Sequence, residues 1–131
     1  MLITKERDYA IRAVRALYGM GKRSVKEICD EEGVPFDFAY KVLKKLNRAG
    51  IVQSIRGAHG GYRLAKELET ISMLDIVLAV DEGLYVSDCL VPGRVCSSPK
   101  KQNLCVVHET LGKLQEKIIE ELRAVKLSIL V

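Results

Sequence analysis

The stretch that decides the fold is SVKEICDEEGVPFDFAYKVLKKLNRAG, residues 24–50. Ser24 and Glu27 form a capping box: the hydroxyl accepts from an unpaired amide at the helix start, and the carboxylate reaches back to the Ser24 amide. A short helix follows and closes at Gly33. Pro35 keeps it from continuing, and a second helical pattern runs from Phe36 to Arg48 through Ala39, Val42, Leu43 and Leu46 until Gly50 ends it. Two helices parted by Gly33-Val34-Pro35 make a helix-turn-helix. On the second helix Phe38, Tyr40, Lys41, Lys44, Lys45 and Arg48 lie largely off the apolar stripe, so they can face the major groove of a duplex.

Downstream, Ile51 to Arg56 reads as a strand, Gly57 to Gly61 as a turn and Tyr62 to Leu64 as a returning strand, which together form a wing. Arg56 at its base suits the narrow, negative minor groove of A/T-rich DNA, and His59 in the turn reads as a phosphate or groove contact. Upstream, Thr4 caps a first helix expected to reach about Met20, with Ala10, Ala13, Val14 and Leu17 on one face. Ser72 and Asp75 open a further helix through Met73, Ile76, Val77 and Val80, expected to pack under the wing. The last segment, Val106 to Leu130, repeats Leu111, Leu114, Ile118, Leu122, Val125 and Ile129 at helical spacing. Such a helix, about 36 Å long, exceeds what a small domain's own core requires, so a helix from a second copy is its natural cover. The predicted fold is mainly α: a winged helix-turn-helix with a two-stranded wing and a long C-terminal dimerisation helix.

Charge divides the chain. Residues 1–66 carry 14 Lys and Arg against 7 Asp and Glu, whereas residues 67–131 carry 7 against 10. The basic half is the expected nucleic-acid face, because cations that neutralise phosphates release condensed counterions. No apolar run approaches the ~18 residues that span a bilayer, and the charges in MLITKERDYAIR sit where a signal peptide needs its apolar stretch. The expected location is the cytoplasm, with no membrane partner.

In a reducing compartment four cysteines are not expected to form structural disulfides. Cys29 falls inside a helical pattern and reads as a small buried hydrophobe. Cys89, Cys96 and Cys105 belong to a long segment rich in Pro, Gly and Ser, with His108 one turn beyond. A loop of that length is usually functional, and a metal can supply the order that apolar burial does not. Three thiolates and one imidazole suit an iron-sulfur cluster or zinc. Structural zinc sites usually contain a tight cysteine pair, whereas the gaps here hold six and eight residues and can wrap a larger inorganic core. The expected organisation is a winged-helix DNA-binding domain over residues 1–82, a cysteine-rich cluster-binding loop over 83–104 and a dimerisation helix over 105–131.

The segment from Leu46 to Gly57, followed by Gly60-Gly61-Tyr62-Arg63-Leu64, resembles the wing signature of the iron-sulfur cluster regulator (IscR) family of bacterial repressors. Met1 to Ala10 resembles that family's opening, Val80-Asp81-Glu82 the end of its helix before the cluster loop, and Cys89, Cys96, Cys105 and His108 its ligand set. The resemblance implies a homodimer joined through the C-terminal helix and bound to a double-stranded DNA operator. It also implies that Asp37, Phe38, Tyr40 and Lys41 meet base edges, with Lys44 beside them, and that Arg56 enters the minor groove. Polar residues common in the cluster regulator itself are replaced at these positions, so its operator sequence does not carry over.

For the fourth ligand His108 matches the imidazole of a two-iron cluster. Asp8 matches the position from which the related nitric oxide sensor (NsrR) supplies a carboxylate across the dimer to a four-iron cluster. His108 stands first, since Asp8 also reads as a negative charge at a helix N-terminus. A 2Fe-2S cluster is accordingly favoured over 4Fe-4S. The gap between Cys96 and Cys105 is longer than in either relative.

The expected function is a DNA-binding transcriptional repressor whose operator binding is switched by a cluster sensing iron-sulfur status, redox state or nitric oxide. The alternative is a cluster-free thiol or zinc-containing winged-helix regulator. An enzyme is not expected: no nucleotide loop, acid/base pair or Cys-x-x-Cys accompanies the loop, and a basic helix-turn-helix would go unexplained.

Overall fold

A computed structural model describes residues 2–98 and 104–131; Met1 and residues 99–103, part of the cysteine-rich loop, lie outside that description. The helices are α1 (Lys5–Ala16), α2 (Val25–Glu32), α3 (Phe36–Arg48), α4 (Met73–Val80) and α5 (Val106–Ala124), and one antiparallel sheet pairs β1 (Val52–Ile55) with β2 (Gly61–Leu64). The mainly helical, winged helix-turn-helix architecture is the one the sequence predicts.

Local chemistry sets most boundaries. The Thr4 hydroxyl accepts from the Arg7 amide at 3.3 Å, and both capping boxes, Ser24 with Glu27 and Ser72 with Asp75, close in both directions. Gly33 ends α2 at φ 64°, a left-handed turn that any side chain would strain, and so sets the crossing of the two motif helices. The first helix stops at Ala16 rather than near Met20, and Leu17 turns into the core instead of extending the helix.

The core is a single cluster in which α1 supplies Ala10, Ala13, Val14 and Leu17, α2 supplies Ile28, and α3 supplies Val42, Leu43 and Leu46. Ile76 and Val80 of α4 complete it from the other side. This helix packs on α1, α3 and α5, not principally beneath the wing as expected. Arg15 clasps Glu32 through two hydrogen bonds of 2.8 and 2.5 Å and ties α1 to the end of α2.

The C-terminal helix departs further from expectation. It ends at Ala124, giving a rod of about 28 Å at the standard rise. Val125 is extended, Lys126 bridges to Ser72, and Leu127 sinks into the core at 2% exposure. Two backbone bonds fasten the return, Met73 N–H to Val125 O at 2.8 Å and Leu127 N–H to Ile71 O at 2.9 Å. Val125 and Ile129 therefore leave the predicted stripe. No residue of α5 is buried within the chain; Val106, Val107 and Leu114 are 74%, 65% and 48% exposed. Among the described residues no helix is long and apolar enough to cross a membrane.

Candidate functional site

Two neighbouring surfaces carry the sequence-predicted residues. The first is the outer face of α3 with the wing. Asp37, Tyr40, Lys41, Lys44 and Arg48 are exposed on α3, and Arg56 and His59 are exposed on the wing. Tyr40 and Arg56 line one cleft of about 450 Å³ between the start of α3 and the wing, so helix and wing present a continuous face.

Backbone bonds add to the packing of Val52, Tyr62 and Leu64 on the core in pinning the wing. Arg23 and Tyr62 exchange reciprocal hydrogen bonds of 2.9 and 2.8 Å, which adds a bridge to the far edge of β2. Gly61 is required there because a Cβ would stand 2.2 Å from the Arg23 carbonyl oxygen. Nζ of Lys22 donates to the His59 carbonyl and steadies the turn. Burial, with the nearby Tyr40 phenol second, pushes the Tyr62 hydroxyl above the usual tyrosine range and keeps it a neutral donor in the cleft.

Lys41, though exposed, lies 3.8 Å from Glu6 of α1, and two further α3 residues have other occupations. Lys45, expected on the groove face, reaches back to Glu6 of α1 and to the Val80 carbonyl, both at 2.7 Å. Phe38 rests edge-to-face on Tyr9 with ring centroids 5.0 Å apart, and is 36% exposed. In sequence Phe36 marks only the start of a helix. It stands 55% exposed against Tyr40, and its place directly after Pro35, at the tip of the helix, is the signal that could have found it.

The second surface is the cysteine loop against α5. All four cysteines stand as thiols rather than disulfides. Cys105 caps α5, its sulfur accepting from the His108 amide at 3.5 Å, at the amide-rich end of a helix where a negative ligand atom is favoured. Nδ1 of His108 is buried without a hydrogen-bond partner among the described residues, a costly state for an imidazole nitrogen. Glu109 is engaged with Lys113 at 2.9 Å, which holds its carboxyl below the usual range.

Cys89 and Cys96 line a shared pocket of about 370 Å³ together with Arg94. The turn Asp88–Leu90 packs on α5, and the Val86 amide donates to Gln115 Oε1 at 3.0 Å. Leu90 lies beside Gly112. Gln115, Gly112 and His108 follow one another along one helical face, so the loop runs down α5 toward the histidine.

The four predicted donors thus fall into two pairs, Cys89 with Cys96 and Cys105 with His108. Among the described residues no three His, Cys, Asp or Glu side chains converge on a metal-sized point. Asp8 lies on α1, paired with Arg12 at 2.9 Å. Cys29 is half-buried against the core, as expected of a packing residue. The donor set, soft thiols with an imidazole nitrogen that lacks a partner, fits an iron-sulfur cluster or zinc.

A helix-turn-helix backed by a two-stranded wing, with cations along both, defines a winged-helix DNA-binding protein. The chain belongs to the Rrf2 family of iron-dependent transcriptional regulators, whose profile matches residues 3–131. It is therefore a transcriptional regulator and not an enzyme.

Among its relatives is protein aau3 of Rhizobium meliloti, 31% identical over 72% of this chain and 63% of that one. The regulator IscR of Vibrio vulnificus is 28% identical over 97% of this chain and 75% of its own length. The solved structure of T. potens IscR superposes with a TM-score of 0.75 at 25% identity, covering 98% of this chain and 84% of that one. The chain thus spans just under two thirds of aau3 and three quarters of the Vibrio protein.

Proposed function

We propose that this protein is a cytoplasmic, homodimeric repressor whose operator binding is switched by an iron-sulfur cluster held by Cys89, Cys96, Cys105 and His108. The observation that carries this reading is the buried, unpartnered Nδ1 of His108, a residue whose backbone amide donates to the Cys105 sulfur at the start of α5. An imidazole nitrogen in that state calls for a ligand. Asp8 is the weaker candidate for the fourth position because Arg12 already engages its carboxylate. A 2Fe-2S cluster matches a three-cysteine, one-histidine set, and a 4Fe-4S cluster would match Asp8 in its place.

When bound, such a cluster supplies a group sensitive to oxidation, nitrosylation and iron supply. The chain's own residues do the rest. Asp88–Leu90 and Gln115 hold the loop on α5, and α5 packs on α4. The end of α4 is bonded in turn to Lys45 of α3, the helix presented to DNA. Asp37, Phe38, Tyr40, Lys41 and Lys44 would meet base edges and phosphates, with Arg56 and His59 supplied by the wing. The apolar residues that α5 leaves exposed support pairing of two copies along this helix, and the paired motifs would engage half-sites about 34 Å apart.

The test is anaerobic absorption and Mössbauer spectroscopy of the protein as isolated, repeated for His108→Ala and Asp8→Ala, with footprinting in each state. Iron-sulfur spectra altered by His108→Ala and indifferent to Asp8→Ala are expected. A colourless, zinc-bearing protein that still protects DNA would replace this reading with the thiol or zinc regulator. Absence of any protected site would end the operator-binding reading itself.

A further inference from the structure

Phe36 is the first residue of α3, and side chains at a helix start lean toward its N-terminus, so this ring projects past the tip of the helix. One turn on, Tyr40 meets it edge-to-face with centroids 5.0 Å apart and planes at 66°. The rings are 55% and 52% exposed, and neither joins the core cluster. By contrast Phe38, between them in sequence, leans on Tyr9 of α1. Packing against another ring of the chain's interior therefore accounts for Phe38, whereas the ring partner of Phe36 is the equally exposed Tyr40.

The pair forms one wall of the 450 Å³ cleft whose other wall is the wing, with Ile55, Arg56 and Ala58. Arg56 lines it, and Lys41 and Lys44 are exposed farther along α3, so a polyanion is the occupant that this charge selects. In a helix-turn-helix the N-terminal residues of the second helix are the ones that reach base edges. A major-groove floor offers a single apolar feature to an aromatic ring placed there, the C5 methyl of thymine.

We infer that Phe36, buttressed by Tyr40, is a specificity-determining residue that reads the C5 methyl of a thymine in each operator half-site. The inference rests on the operator-binding reading above and deepens it. It adds a residue outside the predicted set of base contacts and gives it a chemistry that hydrogen bonding does not supply. Tyr40 acts here by holding the ring in place.

The test uses the full chain, isolated anaerobically, and duplexes recovered by selection from a randomised library, all at one fixed salt concentration. Each thymine of the recovered half-site is replaced in turn by deoxyuridine, which removes the methyl and nothing else. The wild-type chain should lose roughly fourfold in affinity per half-site at one position, the value expected for one buried methyl. Phe36→Ala should bind the thymine duplex that much more weakly and make no distinction between thymine and deoxyuridine there, while Phe36→Leu should keep part of it. Circular dichroism confirms that the variants fold, as their exposure predicts. Wild-type indifference to every replacement overturns the inference, as does undiminished discrimination by Phe36→Ala. Recovery of no duplex overturns the operator-binding reading beneath it.

Discussion

Arg7 meets Asp81 at 3.1 Å and so joins the first turn of α1 to the residue that ends α4, where the cysteine-rich segment begins. The guanidinium is 7% exposed and also donates to the carbonyls of Leu2 at 2.6 Å and Gly83 at 3.0 Å. Its planar fork serves three acceptors in three directions. Arg7→Met leaves two carbonyls without their donor and the Asp81 carboxylate without its ion-pair partner. Because Asp81 is one third exposed, water recovers part of the loss, and a cost of about 1–3 kcal/mol in urea denaturation is expected. Arg7→Lys keeps the charge without the fork and should fall between wild type and Arg7→Met.

Lys44 and Lys45 are neighbours with opposite assignments. Lys44 is exposed on the side proposed to face DNA, whereas Lys45 is bonded to Glu6 and Val80. Lys44→Ala should lower the slope of log affinity against log salt by about 1 and leave stability unchanged. Lys45→Ala should leave that slope intact and cost about 1–3 kcal/mol in urea denaturation, since its hydrogen bonds are charge-assisted.

The close approach of β2 to Arg23 makes Gly61 intolerant of any side chain. With a Cβ 2.2 Å from a backbone oxygen, the wing must move bodily in Gly61→Ala. A loss of about 1–3 kcal/mol and a weakened duplex complex are expected, the first by thermal unfolding and the second by titration. Gly93→Ala, which meets no neighbour but sits at φ 80°, should cost less than Gly61→Ala.

Cys29 offers a pH test. Burial, with the Asp30 charge second, pushes its thiol above the ordinary value of 9.0. A raised value means that the native state holds the proton more tightly than the unfolded chain. The resulting stability is complete below the unfolded value and is lost as pH rises through the folded one. The urea midpoint of wild type should therefore decline above pH 9.0 more steeply than that of Cys29→Ala. In the cluster-free protein near neutrality maleimide should label exposed Cys96 before Cys29.

The C-terminal return can be separated from a continued helix by two substitutions. Leu127→Ala removes a side chain 2% exposed within the core and should cost about 2–5 kcal/mol in urea denaturation. Ile129→Ala, at 74% exposure, should change the unfolding of the chain by less than about 0.5 kcal/mol. A continued helix would have placed Ile129, not Leu127, on the apolar stripe.

Features governed by a few adjacent residues were legible in the sequence. Ser24 with Glu27, Ser72 with Asp75, and Gly33 before Pro35 carry their own geometry, and with them came the motif, the wing and the exposed cations of α3. Features set by distant partners were not. Val125 and Ile129 continue the helical repeat in phase, with no Gly or Pro to stop it, yet hydrogen bonds to Ile71 and Met73 from elsewhere in the chain end the helix before them. Lys45 has the polarity of a groove residue, and only the fold brings Glu6 and Val80 beneath it. The candidate ligands were legible as residue types because thiols and imidazoles cluster so seldom. Their grouping into two pairs was not, because the segment between Cys89 and Cys105 has no apolar period to fix its course.

The bridge between Ser72 and Lys126 turns the chain back on itself, so the cysteine-rich segment is a bight tied at both ends and not a free tail. A protease cut beside exposed Arg94 would open the loop without releasing either part. The two pieces would stay together as a nicked protein, with Leu127 in its socket and the wing still standing. Only the covalent path between α4 and α5 would be severed. The cysteine-rich segment and the winged-helix architecture can thus be uncoupled by breaking one peptide bond.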